Sequence, residues 1–512
     1  MKTIRNIIII CCIFITIAGC DKGFEELNIN PNAINDLDAS FLFAGAQTTV
    51  GFGGWEGEAT IAQYFANAYN LGGTAGFNYN QSNSGSNLRW GNYTGPIKNL
   101  IQALDDIGDN PNRANLKNMM RIWKAYIFLD NVDSHGNVPY SEAGLAYLNG
   151  DFAPVYDDDE AIYDDLYNEI REATNALNPA GDIVTADLLY DGNITKWKRF
   201  GNSLLLRMGM RYSKINPTKA ASIVLEAYNA GVMQTNADDC VLFYEDPNLY
   251  SNGMNGISNN NPYFYHIAKP IIDQFQLTGD PRSKYIAGKY PNPNTVLASP
   301  PDVTLSEQQG FPVGYDNISA SALPDFPGIK GSGLDYSQPN YFAMFSLGAP
   351  RFYFTNSQTK LLLAEAAFRN WIPGGSAQAK IFYEAGIRAS MDQFDLYPGP
   401  YGAISTADQD AYIADADVAY NDANALRLIN TEYWVSNFNN PKEGWANFRR
   451  SGYPNLSPNL YNNNLNGGFV RRLPYPTSES GTNPENYAAA RAAMGVTGIY
   501  DAMTARVFWD IE

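Results

Sequence analysis

Apolar residues recur every three or four positions along several stretches of the chain, which places them on one face of a helix. In the stretch 116–130, Leu116, Met120, Trp123 and Ile127 form such a stripe. The same spacing predicts further helices at 160–177, 193–215, 218–229, 357–370, 376–394 and about 420–436. The pattern therefore predicts a mostly α-helical protein.

Short turns join neighbouring helices into hairpins at two places, Asn216-Pro217 and residues 373–375. Stacked helix hairpins are typical of a tetratricopeptide-like solenoid, although no regular repeat consensus is legible. The stretches 70–95, 235–350 and 437–485 are rich in Gly, Asn and Pro and show no sustained period. Loops of this length are usually functional, and we expect two or three short strands in them. The pattern is compatible with a body of two lobes or with one helical array that carries loops.

The N-terminus has the pattern of a secretory signal. Lys2 and Arg5 precede an apolar stretch, and small residues follow before Cys20. The apolar stretch is shorter than the ~20 residues that cross a bilayer. Its end resembles the cleavage site of bacterial lipoproteins, which implies that residues 1–19 are removed, that Cys20 is acylated and that 20–38 form a polar tether. A signal peptide with an incidental cysteine is the alternative.

Composition narrows the possible partners and cofactors. The 53 acidic residues outnumber the 35 basic ones, and a net charge of −18 argues against nucleic acid and anionic membrane surfaces as partners. Cys240 is the only cysteine after Cys20, and we expect it in the core. With only two histidines, no metal or other cofactor is expected. A calcium loop at 415–422 is a weaker alternative, because it lacks the central Gly and the terminal Glu of an EF-hand.

Several sequence blocks, taken together, resemble the SusD/RagB family of outer-membrane nutrient-binding lipoproteins. They are KWKRFGNSLLLRMGMR from Lys196, LLLAEAAFRN from Leu361, TEYWVSNFNNPKEGWANFRRSGYP from Thr431 and FVRRLPYPTSESGTNPEN from Phe469, supported by FEELNINPN from Phe24 and DSHGNVPYSEA from Asp133. Their aromatic and arginine residues are expected to be scaffold, in which the arginines cap carbonyls, pair with a buried acid such as Glu365 or Glu443, or stack on rings. These scaffold residues are Trp197, Trp434, Trp445, Arg449, Arg450, Arg471 and Arg472.

The resemblance implies a mostly α fold, in which four tetratricopeptide-like helix pairs form a scaffold and a loop-rich irregular lobe packs on it as a single body, 39–512. It also implies a lipid-anchored protein on the outer membrane that faces outward. The implied partner is a SusC-like TonB-dependent transporter, and the implied ligand is an oligosaccharide or polysaccharide. A peptide ligand, as in the RagB branch, is the alternative. A glycoside hydrolase is less favoured, since no pair of carboxylates lies in a recognisable catalytic motif.

Sugars present hydroxyl groups at their rim and an apolar face, so their sites combine flat aromatic rings with amides and charged groups. The loops offer such residues, and no catalytic residue is expected among them. The candidate ligand-binding residues are Trp55, Arg89, Trp90, Asn92, Tyr93, Tyr263, Tyr265 and Tyr341. Trp90 and Tyr93 are the most favoured, because they flank Asn92 in a loop that follows several other asparagines.

Overall fold

The computed structural model describes residues 37–50, 57–69, 89–244, 262–459, 465, 468–498 and 501–511. Cys20 and Trp55 lie outside these residues. The longer helices are α1 Ala39–Thr48, α2 Lys98–Ile107, α3 Ala114–His135, α4 Asp159–Ala176, α5 Ile194–Arg211, α6 Pro217–Ala230, α7 Lys269–Thr278, α8 Asn356–Phe368, α9 Gly375–Asp392, α10 Thr406–Ala414, α11 Ala425–Ser436, α12 Pro441–Ser451 and α13 Pro484–Ala493. One-turn helices are Glu58–Ile61, Ala146–Asn149, Ser283–Ile286, Asn317–Ala320 and Glu479–Thr482.

The helices predicted from periodicity are confirmed, and polar caps explain where they begin. Asp158 Oδ1 accepts the backbone N–H of Ala161 (3.1 Å) at the start of α4. Asn193 Oδ1 accepts the N–H of Lys196 in the same way at the start of α5. Such caps satisfy N–H groups that have no partner within the helix.

Consecutive helices pack in pairs, which are α3 with α4, α5 with α6, α8 with α9 and α11 with α12. We call these eight helices the helical scaffold. The turn between α8 and α9 contains Asn370 with φ 58° and Gly374 with φ 108°. Left-handed backbone of this kind is tolerated by Gly and Asn, so the tight reversal depends on these residue types.

The irregular lobe contains more strands than the two or three predicted, but little sheet. Strands occur as antiparallel pairs, two to four residues long, and runs so short leave no alternating pattern in the sequence. The strands are β1 Phe65–Asn67, β2 Val138–Pro139, β3 Tyr156–Asp157, β4 Cys240–Leu242, β5 Tyr265–Ile267, β6 Ala287–Gly288, β7 Ile329–Lys330, β8 Gly333–Leu334, β9 Gln338–Pro339 and β10 Arg351–Phe354. They pair as β1–β5, β2–β3, β4–β10, β6–β9 and β7–β8.

Helix α7 lies within the stretch 235–350 and helix α12 within the stretch 437–485, and for these two helices the prediction of a loop was wrong. Helix α12 begins with Pro441 and buries the charged residues Glu443, Arg449 and Arg450 along with its aromatics. Only Trp445, Ala446 and Phe448 of its 11 residues are apolar, which is too few to form the repeated stripe that makes a helix visible in a sequence.

Buried ion pairs hold the helical scaffold together. Arg211 on α5 binds Asp133 of α3 at 3.1 Å and Glu443 of α12 at 2.7 Å. Arg450 binds Glu365 of α8 through the two terminal nitrogens of its guanidinium, at 2.9 and 2.7 Å. The predicted pairing of a scaffold arginine with Glu365 is therefore confirmed for Arg450, while Glu443 pairs with Arg211 of α5.

Burial opposes the ionisation of Glu365, but the charge and hydrogen bonds of Arg450 outweigh it and lower the pKa of Glu365 to about 2. Arg449 instead donates to the backbone carbonyls of Arg471 (2.7 Å) and Asp133 (2.6 Å), and its guanidinium lies 3.7 Å from the ring centre of Trp445. The aromatic and arginine blocks thus serve the scaffold.

Helix α1 is fastened to the body at its C-terminal end. The Gln47 side chain donates to Asp187 (2.8 Å), and the Gln47 carbonyl accepts the hydroxyl of Tyr353 (2.7 Å). The Trp123 indole donates to the carbonyl of Ala46 (3.1 Å). Three separate parts of the chain therefore bind the last turn of this one helix.

Cys240 is buried, as expected, in the short strand β4 that pairs with β10. Burial raises the pKa of its thiol well above the ordinary value, so the thiol stays protonated and unreactive. None of the helices in the described ranges combines the length and the apolarity needed to cross a bilayer.

Candidate ligand-binding groove

A cavity of about 390 Å³ opens where the start of α2 meets the loop 139–154 and the short helix Glu479–Thr482. Trp90 and Tyr93, the two most favoured candidates, both line it. We call this cavity the Trp90 groove. Its size lies within the range of small-molecule sites, which is roughly 300–1,000 Å³.

Aromatic neighbours hold Trp90 in position. Its ring centre lies 5.2 Å from Tyr93, 5.1 Å from His135 and 5.6 Å from Tyr475, in edge-to-face arrangements. Trp90 is half-buried, and its indole makes no hydrogen bond to the residues that the structure describes. A half-buried indole N–H usually finds a partner, so a ligand oxygen would complete its bonding.

A wide helical turn, Tyr93–Ile97, carries Tyr93 into the groove. Gly95 leaves helical geometry (φ −108°, ψ −105°), and Pro96 follows it directly. π-type turns of this kind occur often at functional sites. The Tyr93 hydroxyl donates to the carbonyl of Pro139 (2.8 Å), and burial raises its pKa, so this phenol stays neutral.

The rim carries two exposed aromatic rings that the sequence analysis missed. Tyr147 is 77% exposed and Phe152 is 80% exposed, and both line the groove. Exposed apolar residues are common singly, but two rings at the mouth of one cavity form a surface that a flat apolar face can cover. The run AYLNGDF in the sequence could have indicated them, because it places both rings around an Asn-Gly turn.

Polar groups stand beside these rings. The Glu142 carboxylate accepts the N–H of Val155 (2.9 Å), and the Asn483 side chain donates to the carbonyl of Pro154 (2.7 Å). Lys98 and Asp151 also line the groove. Carboxylates and amides that already have one fixed bond keep further acceptor or donor capacity for ligand hydroxyls.

Tyr263 and Tyr265 lie in a different aromatic cluster, beside the β1–β5 pair. Tyr69 stacks on Phe264 with ring centres 4.5 Å apart and meets Tyr263 edge to face at 5.4 Å. Tyr265 stacks on Phe65 at 5.6 Å. The rings of Tyr69, Tyr263, Phe264 and Tyr265 are half-buried, so this cluster also offers aromatic surface to solvent.

Arg89, Asn92 and Tyr341 are buried among protein groups. Arg89 forms an ion pair with Glu58 at 3.0 Å, and Asn92 donates to the Asn131 side chain at 2.8 Å. Tyr341 is only 5% exposed. Their side chains present almost no surface to a ligand, because long-range partners that no local pattern reveals enclose them.

Neither histidine is suited to acid–base chemistry in this structure. Burial lowers the pKa of both His135 and His266 to about 3, so both rings are neutral. In the described ranges, no three His, Cys, Asp or Glu side chains are grouped as metal ligands. The groove offers aromatic rings and hydrogen-bonding groups.

Comparisons with known proteins identify the family and the fold of this chain. A SusD-like family model, described as "Starch-binding associating with outer membrane", matches residues 31–476. A solved structure described as a chitin-binding protein is 27% identical, with 93% of this chain and 100% of that chain covered and a TM-score of 0.78.

A chitin-binding SusD homolog from Flavobacterium johnsoniae is 21% identical, covers 93% and 99% of the two chains and has a TM-score of 0.74, which shows a shared fold. A comparison with curated proteins gives no significant match. The predicted mostly helical, SusD-like fold is confirmed. Because the family model covers most of the chain, the protein belongs to the SusD-like family.

Proposed function

We propose that this protein is a surface lipoprotein that binds oligosaccharides in the Trp90 groove and delivers them to a SusC-like TonB-dependent outer-membrane transporter. The observation that carries the proposal is the groove itself, in which Trp90 and Tyr93 form the wall and exposed Tyr147 and Phe152 form the rim. The description of the family as starch-binding and associating with the outer membrane supports a glycan as ligand.

The groove suits a neutral or weakly polar sugar chain. The exposed rings can stack on the C–H faces of sugar units, while Glu142, Asp151 and Lys98 can bind hydroxyls. Each polar contact contributes only ~1 kcal/mol net, since both partners lose bonds to water. We therefore expect a weak and extended mode of binding, with a Kd of roughly μM to mM. A chitin oligomer is the first ligand to test, since one similar structure is a chitin-binding protein.

The test is calorimetric titration of the soluble form, which begins after Cys20, against oligomers of chitin, starch and other soluble glycans. We expect saturable binding to one glycan. The Phe152→Ala variant should weaken binding about three- to tenfold, because it removes one exposed ring worth ~1 kcal/mol. Phe41→Ala is the matched control, since Phe41 is a 61% exposed phenylalanine on α1, outside the groove.

The double variant Trp90→Ala/Tyr93→Ala should abolish measurable binding, and circular dichroism must show that it remains folded. Unchanged affinity in that folded variant would contradict the proposed site. Saturable binding to peptides and to no glycan would favour the RagB-like alternative, a peptide-binding protein. These outcomes separate an incorrect site from an incorrect ligand class.

We also propose that the protein does not change its ligand chemically. Incubation with the bound glycan should release no new reducing ends. A glycoside hydrolase needs two carboxylates placed on either side of the bond that it cleaves. Such an enzyme would release new reducing ends from the glycan.

Location and partner are tested on intact cells. The proposed acylation at Cys20 anchors the protein to the outer membrane, facing the exterior, so added protease should cut it while periplasmic proteins survive. Replacement of Cys20 by Ser should release the protein from the membrane fraction. In mild detergent, the native protein should co-purify with a TonB-dependent barrel. If the protein purifies without any such barrel, that result would contradict delivery to a transporter.

A further inference from the structure

A second cavity, of about 570 Å³, lies between α7, α11 and the segment 454–458. Among its lining residues are Leu277 and Pro270 of α7, Arg427 and Thr431 of α11, and Leu456. It shares no lining residue with the Trp90 groove. Its volume again lies in the range of small-molecule sites.

Arg427 is the unusual residue of this cavity. It is half-buried, and alone among the arginines of the described residues it makes no hydrogen bond, ion pair or ring contact. Another arginine that reaches α11 is paired, since Arg282 binds Asp280 at 2.6 Å and Glu432 of α11 at 2.5 Å. A half-buried guanidinium without an acidic partner is unexpected in a chain in which acids outnumber bases by 53 to 35.

The remaining charges of the lining leave the cavity slightly positive. Lys269 and Asp273 are both in the lining and neutralise each other in an exposed ion pair of 2.7 Å. The Arg427 charge is therefore uncompensated within the cavity. An arginine fork matches a carboxylate in both shape and charge, and it can bind both oxygens at once.

Other groups around Arg427 fit the rest of a sugar. Thr431 follows one helical turn later on α11, so its hydroxyl faces the same side as the guanidinium. Leu277 is 58% exposed and, with Pro270, gives an apolar wall. Gln274 supplies an amide on the same helix as that wall. One cation, a hydroxyl, an amide and an apolar face match a hexuronate, which has one carboxylate, several hydroxyls and a C–H face.

Gln63, which also lines this cavity, is held in a strained backbone conformation. Gln63 adopts φ 61°, which side chains other than Gly rarely do, and it is only 1% exposed. Its side chain donates to the carbonyl of Ser457 at 2.7 Å and so fixes the segment 454–458 beside α11. Strain of this kind occurs often at ligand sites, where it keeps a wall in place before the ligand arrives.

We infer that this cavity is a second ligand site, which binds the carboxylate of an acidic sugar unit, a hexuronate, through Arg427. The site goes beyond the binding proposed for the Trp90 groove and does not depend on it. Thr431 and Gln274 bind hydroxyls of the sugar, and Leu277 covers its apolar face.

The test is titration of the soluble form with oligomers of galacturonate, glucuronate and mannuronate and with their neutral counterparts. We expect saturable binding to one uronate oligomer and at least tenfold weaker binding to its neutral counterpart. Arg427→Gln should weaken uronate binding tenfold or more, and Arg427→Lys should weaken it less, because Lys keeps the charge but loses the fork. Arg388→Gln, at an exposed arginine paired with Asp410, is the control and should change nothing.

Melting temperatures verify that each variant is folded. If Arg427→Gln is unstable, the affinity of Arg427→Lys for the uronate oligomer is compared with that of the native protein instead. Trp90→Ala/Tyr93→Ala should retain uronate binding, so a failure of the groove proposal does not remove this one. Three outcomes would overturn the inference: no saturable binding of any uronate oligomer, equal affinity of the folded Arg427 variants and the native protein, or binding only of a peptide with a free C-terminal carboxylate.

Discussion

Two tryptophans show how the helical scaffold differs from the Trp90 groove. Trp197 is fully buried, and its indole donates to the Asp187 carboxylate at 2.7 Å. Trp90 is half-buried, and its indole has no partner among the described residues. The indole N–H of a tryptophan thus has a hydrogen-bond acceptor in the scaffold but none among the described residues of the groove.

Arginines show the same contrast between the scaffold and the second cavity. Arg450 uses both nitrogens of its fork on Glu365, while Arg427 has no acidic partner. Trp90 and Arg427 are both half-buried in cavity walls, where a ligand can reach them. Substitutions in the scaffold should therefore change stability, and substitutions in the cavities should change binding.

The largest effect should follow from breaking the Arg450–Glu365 pair. Glu365→Gln leaves a buried guanidinium without its counter-charge, and we expect the free energy of unfolding to fall by about 3–5 kcal/mol. Urea denaturation measures it. Asp410→Asn, which breaks an exposed pair with Arg388, should change the free energy by no more than ~1 kcal/mol. Similarly small changes in the unfolding free energy of both variants would contradict the expected difference between buried and exposed ion pairs.

A close contact in α12 should give the next largest effect. A Cβ atom at Gly444 would lie 2.0 Å from the Tyr64 hydroxyl and 2.9 Å from its ring, which itself stacks on Trp434 at 4.9 Å. Because that ring cannot move aside, Gly444→Ala should cost about 1–3 kcal/mol. Gly481→Ala meets nothing within 4 Å and is the control. Equal melting temperatures of the two variants would show that the scaffold is looser than its packing indicates.

Acid should narrow the difference between native protein and Glu365→Gln. The pKa of Glu365 is about 2 in the folded protein against 4.5 as its ordinary value, so its contribution is complete above pH 4.5 and is lost as pH falls toward 2. We expect the difference in unfolding free energy to shrink by roughly 1–2 kcal/mol between pH 5 and pH 3. Urea titrations at several pH values measure it, and a difference independent of pH would exclude the ion pair as its cause.

The smallest effects on stability should come from the rim of the Trp90 groove. Tyr147→Ala and Phe152→Ala remove rings that are 77% and 80% exposed, so the free energy of unfolding should stay within ~0.5 kcal/mol of the native value. The same denaturation experiment measures this. A loss above ~1 kcal/mol would mean that these rings pack against the protein and are not kept for a ligand.

Periodicity was sufficient to predict helices with a repeated apolar stripe, such as α4 and α5. It did not predict α12, because only Trp445, Ala446 and Phe448 of its 11 residues are apolar. The burial of Glu443, Arg449 and Arg450 depends on contacts with distant segments. The strand pairs escaped prediction for a different reason, since two to four residues carry too little pattern.

The sequence indicated only some of the residues that line the candidate groove. Sequence reasoning chose Trp90 and Tyr93, which line one cavity, but it also chose Arg89 and Tyr341, which are enclosed by partners far away in the chain. Arg427 lay unnoticed in a predicted helix, where an arginine usually faces solvent. Whether a polar residue is satisfied depends on contacts between distant segments, and a single sequence does not contain that information.

The fastening of α1 has a mechanical consequence. If Cys20 carries the lipid anchor, any pull between membrane and protein enters the described structure at α1. Gln47 and Ala46 are held there by Asp187, Trp123 and Tyr353, so the load divides at once among three segments. Hydrogen bonds loaded in parallel must break together, so the last turn of α1 should resist detachment from the body better than a single contact would.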